Sequence, residues 1–126
     1  MKFFLKKWLP VILWMTLIFF LSAQPGLKSN LPFIWDFILR KFVHIFEYFI
    51  LYLLFFYALY SPCCVKSNNK NIKALYLSAL FSFIYAISDE YHQRFVFQRC
   101  GCKTDVFIDS IGILIGYWII KRKMIK

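Results

Sequence analysis

The chain has 126 residues, a formal charge of +10, and a composition that is 61% hydrophobic and 22% aromatic. A soluble domain of that size would have too little polar surface to cover itself, so the soluble classes are excluded and an integral membrane protein is indicated. Only six residues are acidic against sixteen Lys and Arg, and their order along the chain is as informative as their number.

Lys2, Lys6 and Lys7 precede a first apolar run, Trp8 to Ala23. This opening resembles a signal peptide, with Ser22-Ala23-Gln24 at the place of cleavage, but Leu21 at position −3 is too large for the small-residue rule, and the run is read as a retained span. The segment from Gln24 to Lys41 contains Leu31-Pro32-Phe33-Ile34-Trp35-Asp36-Phe37-Ile38-Leu39. Its apolar character, and a Pro suited to a first helical turn, suggest an interfacial helix over 31–40. The alternative is an extension of the next span.

The second run is Phe42 to Tyr60, followed by a short polar connector, Ser61 to Lys73, with Pro62 and Asn68-Asn69 as turn formers. The third is Ala74 to Ser88 and the fourth Val106 to Ile120. Three of the four are short: at 1.5 Å per residue each covers about 23 Å of a roughly 30 Å hydrocarbon core. Flanking residues are expected to complete the spans, with Trp8, Tyr60, Tyr76 and Trp118 at the interface. The fold class expected is all-α, four short transmembrane helices in a compact bundle, forming one domain over 1–126.

The charges orient that bundle. Lys2, Lys6, Lys7, Lys66, Lys70, Lys73, Lys121, Arg122, Lys123 and Lys126 all fall on one side, and every carboxylate (Asp36, Glu47, Asp89, Glu90, Asp105, Asp109) falls at or near the other. The positive-inside rule places both termini and the Ser61–Lys73 connector in the cytoplasm. The acidic side, which nets zero, is then outside.

Polar residues within apolar runs are costly and tend to face a cavity, a partner or a substrate path. His44 and Glu47 are three apart and share a helix face, as do Asp105 and Asp109, four apart. The third run ends in Ser88-Asp89-Glu90-Tyr91-His92-Gln93-Arg94, with Arg99 beyond. Alternating spans bring the start of run two, the end of run three and the start of run four to one end. One outward pocket is therefore expected to hold His44, Glu47, Asp89, Glu90, His92, Arg94, Arg99, Asp105 and Asp109. Gly112 and Gly116, a Gly-x-x-x-Gly pair below Asp109, suit close helix approach.

Taken in order, Leu21-Ser22-Ala23-Gln24-Pro25, Lys41-Phe42-Val43-His44-Ile45-Phe46-Glu47-Tyr48, Asp89-Glu90-Tyr91-His92-Gln93, Arg99, Asp105-Val106 and Gly112 resemble the VanZ-like family of small bacterial membrane proteins over roughly residues 14 to 120. The resemblance implies a multi-pass protein of the bacterial cell membrane and a link to resistance to the glycopeptide teicoplanin. It matches His44, Glu47, Asp89, Glu90, His92, Gln93, Arg99 and Asp105 to the family pattern. Phe97-Gln98 stands where the family has Pro-Gly, Asp109 where it more often has Asn, and Cys100 and Cys102 where it has small polar residues.

Three functions fit these residues. In a membrane enzyme, His44, Glu47, Asp89, Glu90, His92 and Asp105 would serve as acid, base or ligands of a divalent cation. Gln93, Arg94, Arg99 and Asp109 would bind a phosphate- or sugar-bearing envelope lipid or precursor, with Arg suited to phosphate. In a proton-coupled transporter Glu47 and His44 would relay protons, and four spans would call for a homodimer. In a non-catalytic accessory protein Arg94 and Arg99 would pair with Asp89, Glu90 and Asp105, and His44 with Glu47. No nucleic-acid partner is expected. Cys63-Cys64 and Cys100-Gly101-Cys102 lie on opposite sides, so no disulfide joins them; their use is read as structural or incidental, with palmitoyl-like modification at Cys63-Cys64 as the runner-up and a zinc site on Cys100, Cys102 and His92 as a weaker alternative.

Overall fold

The computed structural model describes residues 2–24, 32–60, 68–96 and 103–125. They form four helices: α1 (Lys2–Ser22), α2 (Phe33–Leu59), α3 (Asn68–Gln93) and α4 (Lys103–Ile125). Each is longer than the apolar run that announced it. At 1.5 Å per residue, the 21, 27, 26 and 23 residues of the four helices extend about 31 to 40 Å, so continuous helix rather than loop supplies the missing length.

Three helices are long and apolar enough to cross a membrane: α1 within Leu5–Ser22, α2 throughout, and α3 within Asn71–Gln93. The fourth expected span forms a helix but does not meet that measure, because Asp105 and Asp109 at one end and Lys121 at the other leave only Ser110 to Ile120 uncharged. Residues 33–40 are not a separate interfacial helix. They are the first turns of α2, begun by Pro32 and carrying Asp36 in the first turn, where a carboxylate is favoured by the helix dipole. Arg40 donates to Asp36 from one turn on, at 2.9 and 2.6 Å.

The buried face of each helix explains the packing. On α2, Glu47, Tyr48, Leu51, Tyr52, Phe55, Phe56 and Ala58 make a stripe of helical period. On α3 the stripe runs through Ala74, Leu75, Ser78, Ser82, Ala86, Asp89, Glu90 and Gln93, small in its middle and acidic at its end. On α4 it is Asp109, Gly112, Ile113 and Gly116. Small residues let backbones approach where lipid provides no hydrophobic drive for helix association. A Cβ on Gly112 would fall on the Ile45 carbonyl oxygen, and one on Gly116 would meet Tyr52 Cδ1 at 2.6 Å. The largest interface is accordingly that of α2 with α4; α3 packs on both, and α1 packs mainly on α2.

Specific hydrogen bonds hold the outer helix in register. Trp14 Nε1 donates to the Glu47 carbonyl at 3.0 Å, Tyr85 Oη to the Met15 carbonyl at 2.6 Å, and Lys7 Nζ to the Tyr60 carbonyl at 2.6 Å. α1 also meets the bundle through buried Val11, Ile18 and Ser22, with Trp8, Trp14 and Met15 packed beside the core, and turns Leu9, Ile12, Leu13 and Phe20 outward. The start of α1, the end of α2, the start of α3 and the end of α4 share one end of the bundle, joined by Lys7 with Tyr60 and by Tyr76 with Tyr117. That end carries Lys6, Lys7, Lys73, Lys121, Arg122 and Lys123 and none of the acids. Arg122 lies 3.8 Å from the ring centroid of Trp118 there. The opposite end carries the acids.

Candidate functional site

The polar ends of three buried stripes meet at the acidic end. Glu47 belongs to the α2 stripe, with half-buried His44 a turn before it, Asp89 and Glu90 to that of α3, and Asp109 to that of α4. Asp109 is 2% exposed, Asp89 4%, Glu90 5% and Glu47 8%. His44 Nδ1 lies 3.2 Å from Asp109 Oδ1, so α2 and α4 are joined by an imidazole–carboxylate contact one residue from the Ile45–Gly112 approach. Lys41 of α2 forms an ion pair with Asp105 of α4. Gln93 Nε2 donates to Asp89 Oδ2 at 3.0 Å.

The groups form one electrostatic cluster. Asp109, Glu47 and Asp105 act on His44; Asp105, Asp109, Asp89 and His44 act on Glu90; Asp89, Asp109 and Glu47 act on the Tyr48 hydroxyl. Buried polar atoms nearly always find a partner. Here Asp89 Oδ1, Glu90 Oε1 and the Tyr48 hydroxyl are buried with no hydrogen-bond partner among the described residues. Such oxygens can act as acceptors or proton carriers. A carboxylate at His44 Nδ1 favours the proton on that nitrogen and leaves Nε2 as the basic one.

Two contacts between α2 and α4 stand out beside the expected pairings. His44 faces Asp109 across the α2–α4 contact. Among the described residues Asp105 pairs with Lys41, which is half-buried on α2, while Arg94 is exposed. His92 is half-buried, with its ring against that of Phe19 of α1, centroids 4.4 Å apart and planes tilted by 34°. Arg99, the Phe97-Gln98 turn, Cys63, Cys64, Cys100 and Cys102 lie outside the described residues. Among the described residues no three His, Cys, Asp or Glu side chains are arranged to hold a metal ion.

Sequence reasoning missed three participants. Tyr48, 0% exposed, reads as an ordinary aromatic of an apolar run; its place beside Glu47 on the His44 face was the available signal. Lys41 was assigned only to the family pattern. Lys103 lines a cavity between α3 and α4 with Glu90, Arg94 and Ser110, and nothing in the sequence marked it.

Fold and site together define a helical membrane protein with a buried carboxylate–histidine cluster at one end. The model of the VanZ/LLP1 family matches residues 7–125, nearly the whole chain, and the protein belongs to that family. No curated protein and no solved structure matches the chain.

Proposed function

We propose that this protein is a multi-pass protein of the bacterial cell membrane whose acidic end faces outward and performs acid–base chemistry on a phosphate- or sugar-bearing lipid-linked precursor of the cell envelope. Its contribution to glycopeptide resistance, the phenotype associated with the family, would follow from altering that precursor. The observation that carries the reading is the pair of buried carboxylates Asp89 and Glu90, each with an oxygen that no described protein group satisfies. Ion pairs kept only for packing would leave fewer such atoms, since an unmatched buried polar group costs about 1–3 kcal/mol. In this reading Glu90 and Asp89 exchange protons with the substrate, His44 does so through Nε2, and Asp109 holds its ring.

A binding protein without catalysis is favoured by a different observation. Lys41 with Asp105, and Gln93 with Asp89, show part of the charge already matched within the chain. Turnover separates the two. Reconstituted protein is incubated with a polyprenyl-linked sugar precursor, alongside Asp89→Asn and Glu90→Gln, with folding checked by circular dichroism and gel filtration. Loss of one acid or base group typically removes about 10²–10⁴-fold of rate, and folded variants should fall by that much. Retention of the precursor by the parent without turnover would establish the binding reading, and proton flux in liposomes would point to transport.

A further inference from the structure

A cavity of about 340 Å³ opens between α3 and α4 at the acidic end, at the small end of the range typical of ligand sites. One wall descends along α3 from Arg94 through Glu90 and Ile87 to Phe83, about 16 Å of helix. Lys103, Phe107 and Ser110 of α4 face it. The charges are sorted by depth, with both cations at the mouth, one buried carboxylate a turn below, and apolar side chains beneath.

The cations are not accounted for by the acids around them. At this end Arg40 and Lys41 are engaged by Asp36 and Asp105. The other two described cations there, Arg94 and Lys103, are both exposed and both line this cavity. Glu90 is 5% exposed, and its Oε1 is buried in the same wall with no partner among the described residues. Two cations with no acid partner among the described residues, above an apolar cleft, match an anionic headgroup followed by hydrocarbon.

We propose that the α3–α4 cavity binds a phosphate-headed membrane lipid, the phosphate held by Arg94 and Lys103 and the upper chain lying along Phe83, Ile87 and Phe107. Arg and Lys are the natural partners of phosphate oxygens. The lipid enters sideways from the bilayer, and the oxygens that join headgroup to chain arrive at Glu90, one helical turn, about 6 Å, below Arg94. This deepens the acid–base reading by naming the side of the cluster from which its lipid comes, but it concerns binding and requires no turnover.

The test uses the purified full chain in neutral detergent, titrated with phosphatidic acid or with diacylglycerol of the same chains and read by native mass spectrometry. The parent should bind phosphatidic acid at least tenfold more tightly than diacylglycerol. Arg94→Gln with Lys103→Gln, both at exposed positions, should remove that difference, and Ser110→Trp should weaken both lipids by filling the cleft. Arg40→Gln, at the same end but outside the cavity, should leave binding unchanged. Equal binding of the two lipids by the parent, a double variant that binds as the parent does, or an equal loss in Arg40→Gln would overturn the proposal. So would inorganic phosphate competing as well as phosphatidic acid, since the apolar wall would then contribute nothing. A parent that binds phosphatidic acid yet never turns over precursor defeats the acid–base reading alone; undiminished turnover after loss of Arg94 and Lys103 defeats the cavity alone.

Discussion

Gly112→Ala tests the register that builds the site, because two physical effects predict opposite signs. Helix propensity alone favours Ala over Gly by about 1 kcal/mol. Packing opposes it. The new Cβ would fall on the Ile45 carbonyl oxygen and stand 3.0 Å from Phe49 N, and these are backbone atoms of α2 that cannot rotate aside as a side chain can. Overpacking costs about 1–3 kcal/mol; taking the upper value for a backbone obstacle, about 3, and subtracting the propensity gain of about 1 leaves a net loss of ~2 kcal/mol. The helices must also move apart beside His44, so the His44–Asp109 contact should loosen and any site activity should fall with stability. Reversible unfolding by SDS in mixed micelles, followed by circular dichroism, measures the change. Ile111→Ala, on the outward face of α4 and 46% exposed, is the control and should change little. A Gly112→Ala protein as stable as the parent, or more so, would refute the claim that α2 and α4 meet backbone to backbone there.

Lys41→Gln and Asp105→Asn should each destabilise, and the double variant should lose less than their sum, with a coupling of about 0.5–3 kcal/mol in a double-mutant cycle; additivity would show that the ion pair contributes nothing. Glu47→Gln should keep the fold and abolish activity if Glu47 belongs to the chemistry. If it serves only as a buried charge partner, the substitution should cost about 3–5 kcal/mol, seen as lost abundance with specific activity unchanged. Impermeant thiol reagents should reach Cys100 and Cys102 from outside intact cells and reach Cys63 and Cys64 only after permeabilisation; the reverse pattern would place the acidic cluster in the cytoplasm. Trp14→Phe, which removes the donor to the Glu47 carbonyl, should cost about 1 kcal/mol without changing the helix content measured by circular dichroism.

The primary sequence by itself determined the membrane class, the helical character and the family. Each follows from local quantities: apolar run length, charge order, and motifs such as His44-Ile45-Phe46-Glu47 and Asp89-Glu90-Tyr91-His92-Gln93. It also determined that the carboxylates would gather at one end, because alternating helices leave no other arrangement. Only the tertiary structure decided who meets whom. His44 faces Asp109 and Lys41 faces Asp105 because the Gly112 approach sets the rotation and height of α4 against α2, and rotation between helices is a property of two surfaces together that neither periodicity alone reveals. The same holds for Tyr48, Lys103 and the cavity beside Glu90. The continuation of α2 through residues 33–40 was legible only as one of two alternatives, since an apolar stretch after a proline serves equally well as an interfacial helix or as the first turns of a longer one, and backbone continuity is what separates them.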